Sequence, residues 1–174
     1  MGQDGRERTE LFGGMAFGEA LTLSDLEAAD AGDALRSLTA CLEREGCIGD
    51  GFLDALVERE SNFPTGLATK TTSVAIPHAD PAFVKVPALA VARLRRPVSF
   101  RAMDNPEHSL AVQLVFLLAL KDPEVHVAFL KKFALAIQSG DFLSRLMGCE
   151  GRACLCEEVV RVLGKPATEK VPPE

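Results

Sequence analysis

The sequence predicts an α/β fold in one domain, with about five strands interleaved with helices. Three observations carry this. Residues 112–120 are almost wholly apolar, as expected of a strand covered on both faces. Shorter apolar runs, at residues 74–76, 88–94 and 98–100, are bounded by proline or polar turn residues. Between and after these runs, apolar residues return at helical spacing.

In chain order, residues 1–18 are polar and carry several glycines, so a flexible N-terminal tail is expected there. The domain then spans residues 19–164. Leu21-Thr22-Leu23 alternates, as a short first strand does. A helix follows, with Ala34, Leu35, Leu38, Cys41 and Leu42 on one face and Gly46 closing it. Asp50 is placed to cap a second helix, whose apolar positions are Phe52, Leu53, Leu56 and Val57. Residues 63–66 read as a turn and residues 69–73 as a hydroxyl-rich loop. The strand at residues 74–76 ends at Pro77, which cannot donate to a ladder. Strands at 88–94, 98–100 and 112–120 come next. Asp122-Pro123-Glu124 starts a helix that puts Val125, Phe129, Phe133 and Ile137 inward and stops at Gly140. Asp141 caps a short helix to Met147, and a last helix covers residues 152–163. Residues 165–174 read as a Pro-rich C-terminal tail.

Bulk properties exclude several roles. The chain has 174 residues, enough to bury roughly 70% of its unfolded surface. Its formal charge is −6, and it has neither Trp nor Tyr. Nucleic acid is therefore not an expected partner. No apolar run is long enough to cross a bilayer, and no secretory leader is evident, so a cytoplasmic location is expected. The five cysteines, at 41, 47, 149, 154 and 156, are irregularly spaced. Reduced thiols packed as small hydrophobes are the expectation, with no metal site and no cofactor.

Chemistry converges on residues 59–80. The proline at 77 pushes Ile76 into an extended conformation, so His78 leaves a strand's carboxyl end on a stiff backbone. Ligands gather at that edge in open α/β sheets. An ordinary histidine is roughly three-quarters neutral at pH 7, and so is a usable nitrogen nucleophile. Arg59 lies at helical spacing from Phe52 and Leu56 and so continues their stripe. It reads either as a salt-bridged or snorkelling residue, or as a guanidinium aimed at phosphate. Thr65 and the hydroxyls after it read either as a solvated loop or as donors to a phosphoryl oxygen. His126, in the first turn after the long strand, reads either as a packing residue or as a second imidazole on the edge that bears His78. His108, among Asp104, Asn105 and Pro106, reads as a surface residue. Phosphoryl transfer suits this set, because it asks mainly for positioning and charge stabilisation.

The run Arg59-Glu60, Pro64-Thr65-Gly66-Leu67 and Val74-Ala75-Ile76-Pro77-His78 resembles the signature of the enzyme IIA components of the bacterial phosphotransferase system, in the mannitol–fructose class. The proline before Thr65-Gly66, the ending His78-Ala79-Asp80 and the downstream Pro97-Val98-Ser99-Phe100 resemble the galactitol-type branch most. The similarity extends over about residues 23–163. It implies a mixed β-sheet with helices on both faces. It also implies that His78 takes phosphate from phospho-HPr as a phosphohistidine and passes it to a cysteine of an enzyme IIB. A membrane IIC component would then be an indirect partner in sugar uptake. The family's pocket arginine and second histidine map onto Arg59 and His126. The Ala68-Thr69-Lys70-Thr71-Thr72-Ser73 loop departs from the glycine-rich loop of many fructose-type members, so the resemblance carries no fructose or mannitol specificity onto this chain; in this family the sugar is contacted by the membrane partner. A regulatory module of the nitrogen-phosphotransferase kind, controlling a partner through its phosphorylation state, is the alternative. A metal-dependent hydrolase built on His78, Asp80 and His126 is a third reading.

Overall fold

Residues 7–165 are described by the structure, a computed structural model. The chain forms β1 (Thr9–Glu10), β2 (Ala16–Phe17), β3 (Thr22–Leu26), α1 (Ala31–Arg44), α2 (Phe52–Asn62), β4 (Gly66–Leu67) and β5 (Ser73–Ala75). It continues as β6 (Ala88–Arg101), β7 (Ser109–Ala119), α3 (Val127–Ser139), α4 (Asp141–Gly148) and α5 (Gly151–Leu163). The seven strands make one mixed sheet in the order β1-β2-β6-β7-β5-β4, with β3 parallel to β6 beside β2. The antiparallel β6–β7 pair is its spine, in register from Ala88 opposite Ala119 to Arg101 opposite Ser109. Strand β5 runs parallel to β7, so both carboxyl ends open on one edge. Val91, Arg93, Leu114 and Phe116 face α3, α4 and α5, where Phe116 meets the rings of Phe133 and Phe142. Helices α1 and α2 pack together, with α1 against β6.

The mixed α/β architecture is as expected, and the described residues hold seven strands where the sequence suggests about five. The runs at 88–94 and 98–100 are one strand, whose register shifts between Arg93 and Val98. Pro97 has no N–H to give the ladder, so the strand bulges there rather than ending. Three added strands, β1, β2 and β4, have two residues each and carry no periodicity to read.

The tail expected over residues 1–18 is also corrected. From residue 7 the segment is folded, and Leu11, Met15 and Phe17 are completely buried. These three apolar side chains among the glycines outweigh the polar average. Residues 1–6, and the Pro-rich stretch from residue 166, lie outside the described residues. Lys165 pairs with Glu10.

Caps differ in detail. Asp30 caps α1 by accepting the Asp33 N–H at 2.8 Å. Gly51, with φ +87°, starts α2, and Asp50 does not cap it. Asp122 accepts the Glu124 N–H at 3.0 Å, a local turn that delays α3 until Val127 and leaves Val125 exposed. The reduced-thiol expectation fails at one pair. Cys149 and Cys154 form a disulfide between the end of α4 and the start of α5, with Cα atoms 5.4 Å apart. The unexpected buried cation, Arg93, donates to the Leu146 carbonyl at 2.9 Å and to that of Cys149, closing the end of α4. It also reaches Asp25 at 3.3 Å.

Candidate active site

His78 follows β5 and is fixed from three sides. The Ile76 N–H donates to the Thr65 carbonyl at 3.2 Å, and the Leu118 N–H donates to the Pro77 carbonyl at 3.0 Å. Beyond Pro77, His78 itself bridges to Leu118 of β7. The imidazole Nδ1 lies 3.1 Å from the Ile76 carbonyl. A carbonyl only accepts, so Nδ1 carries the proton and Nε2 keeps the lone pair. Burial holds the ring's pKa below the ordinary 6.5, and the Arg59 charge adds to this, while the Ile76 bond opposes them. The ring is thus neutral at pH 7. It opens into a cleft of about 370 Å³ walled by Leu67, Leu118, Leu120, Leu130, Phe133 and Ile137.

The other sequence-derived candidates divide. Arg59 sits in the last turn of α2 and is exposed rather than inward. Its angular position on the stripe is as expected, but the helix has run past the core by then. Its guanidinium lies over the Phe63 ring, 5.6 Å from the centroid, and its charge still acts on His78. Thr65 is buried, yet its donors are occupied. Its hydroxyl donates to Glu60 Oε2 at 2.8 Å and its N–H to Oε1 at 3.0 Å. It therefore holds the loop rather than offering its hydrogens to a ligand. His126 is buried, with its Nδ1 2.9 Å from the Gly13 carbonyl. His126 is not among the side chains lining the cleft at His78. His108 is exposed, as expected.

Glu60 was missed as a site residue in its own right; the only sequence signal was its place beside Arg59, five residues before Thr65. Asp80 accepts the Ala82 N–H at 2.8 Å and caps a short turn. Among the described residues no three His, Cys, Asp or Glu side chains are grouped to hold a metal ion. Also among the described residues, no helix is long and apolar enough to cross a membrane.

Comparison with known proteins agrees with the architecture. The galactitol-specific EIIA component of Escherichia coli K12 is 27% identical over 124 residues, covering 71% of this chain and 82% of the relative. The nitrogen regulatory protein IIA-Ntr of Neisseria meningitidis superposes with a TM-score of 0.63 at 28% identity, over 79% of this chain and 94% of that one. Enzyme IIA of the E. coli mannitol system, solved in complex with phosphorylated enzyme IIB, has a TM-score of 0.66 at 18% identity, over 84% and 95% of the two chains. At that identity the likeness is one of fold. Residues 15–161 match the family described as "Phosphoenolpyruvate-dependent sugar phosphotransferase system, EIIA 2", which is most of the chain. With residues 15–161 matched, the chain belongs to that EIIA family.

Proposed function

We propose that this chain is the phosphocarrier of a sugar phosphotransferase system, and that His78 Nε2 accepts the phosphoryl group from phospho-HPr. The observation that carries the reading is the bond from His78 Nδ1 to the Ile76 carbonyl, which leaves Nε2 as the free nucleophile above an apolar cleft. The Nε2 lone pair attacks phosphorus as the bond to the donor's imidazole breaks. His78 becomes a phosphorylated imidazolium, and the Ile76 carbonyl, now facing a fuller positive charge on Nδ1–H, stabilises it. A thiolate of an enzyme IIB then attacks phosphorus, and His78 leaves as the neutral ring. No proton need leave Nδ1 in either step. Arg59, exposed and close enough to act on the ring, supplies positive charge for the incoming phosphoryl oxygens. Galactitol is the sugar class favoured for the membrane partner, from the relative named above.

Incubation with phosphoenolpyruvate, enzyme I and HPr is expected to label the wild type with an acid-labile phosphate and to leave His78→Ala unlabelled. A His78→Ala chain that still takes up the label sinks the proposal. The likeness to the nitrogen regulatory protein favours a second reading, in which the phosphorylated chain controls another protein. Loss of label to an added galactitol-type IIB, with the phosphate arriving on its cysteine, separates transport from regulation.

A further inference from the structure

Glu60 occupies the last turn of α2 and is largely withdrawn from solvent. Burial pushes its carboxyl pKa up; the two Thr65 bonds and the charge of Arg101 pull it back. The Arg101 guanidinium itself donates to the Ser61 carbonyl. Both Glu60 oxygens are instead given to one residue, Thr65, at 3.0 and 2.8 Å. From there the bonds run on without a gap. The Thr65 carbonyl takes the Ile76 N–H at 3.2 Å, and the Ile76 carbonyl takes the His78 Nδ1–H at 3.1 Å. The strand between, β4, has only two residues and cannot hold its own register. A carboxylate clamped on the residue before it can.

We infer that Glu60 is a positioning residue for His78: through Thr65 and Ile76 it fixes the Nδ1–H tautomer and aims Nε2 into the cleft. It touches neither the phosphoryl donor nor the phosphate. Orienting groups one bond removed from the reacting atom commonly contribute about 10–100-fold. The kinetic part of this inference rests on the phosphocarrier reading, whereas the tautomer does not.

The test is ¹⁵N NMR of the imidazole rings in the unphosphorylated, full-length chain, with His78 assigned by its loss in His78→Ala. The wild type is expected to show His78 as the Nδ1–H tautomer. Folded Glu60→Ala is expected to show mixed tautomers. Its rate of labelling from phospho-HPr should fall about 10–100-fold, with little change in the HPr concentration giving half the maximal rate. Glu60→Gln keeps one acceptor and lets the Thr65 hydroxyl turn to accept, so it should restore the tautomer and most of the rate. If Glu60→Ala does not fold, Thr65→Val carries the comparison, with a smaller shift in the same direction. A wild type that is not Nδ1–H, a disrupting variant that keeps the wild-type tautomer, or a folded Glu60→Gln that fails to restore it overturns the inference. Should the wild type take no label at all, the phosphocarrier reading falls, while the tautomer still decides what Glu60 does.

Discussion

At His78, desolvation and the neighbouring Arg59 both disfavour the imidazolium, so the ring stays neutral below the pH at which an ordinary histidine takes a proton. Two pH effects follow. The rate of phosphate uptake should hold as the pH drops below 6.5, where an unperturbed imidazole would lose half its nucleophile. Single-turnover labelling between pH 5 and 8, roughly the range over which histidine titrates, checks this. A midpoint at or above 6.5 would contradict it. Stability moves in the same sense. The unfolded ring binds its proton first as the pH falls, so the contribution is complete above the unfolded value and is lost as the pH drops toward the folded one. Glu60 acts oppositely, since its folded pKa is raised. Its contribution is present at low pH and is lost as the pH rises from the unfolded value of 4.5 through the folded one.

Among the elements, the two-residue β4 depends most on its neighbours. It pairs with β5 through Gly66 opposite Ala75, while the Met103 N–H donates to the Gly66 carbonyl at 2.8 Å. This brings the backbone of β6 so close that a Cβ on residue 66 would lie 2.5 Å from the Arg101 carbonyl oxygen. That carbonyl is backbone, not the end of a flexible side chain, so the sheet must shift. Gly66→Ala should lose about 1–3 kcal/mol in urea denaturation. It should also slow labelling, because the displaced segment carries the residue bonded to Ile76. Gly148→Ala meets no atom within 4 Å and should fall within about 0.5 kcal/mol of wild type. Equal effects at the two glycines would show that close approach at position 66 is not what the fold requires.

Across the whole molecule, the N-terminal segment belongs to the core. Phe17 is fully buried beside β6, so Phe17→Ala should cost about 3–5 kcal/mol, read as a drop in the urea midpoint. A midpoint within error of wild type would mean that this segment is loose in solution. The features legible in the sequence were those with length or punctuation: β7 from its apolar run, α1 from its stripe, and the His78 mount from Pro77. Those lost were made by partners with no periodic relation along the chain. Leu11 and Met15 are buried by elements that come later, Pro97 bends a strand that β7 keeps whole, and Cys149 meets Cys154 only across a helix corner. At the site, Arg59 and Thr65 were found by pattern. The occupant of the Thr65 hydroxyl, Glu60, was not, because a bond across five residues at a helix end has no periodic signature. The most direct measurement is ³¹P–¹⁵N NMR on the phosphorylated chain with ¹⁵N-labelled histidine rings. One-bond coupling between phosphorus and Nε2 of His78 is the expected result; coupling to Nδ1, or phosphate on a different residue, would contradict it.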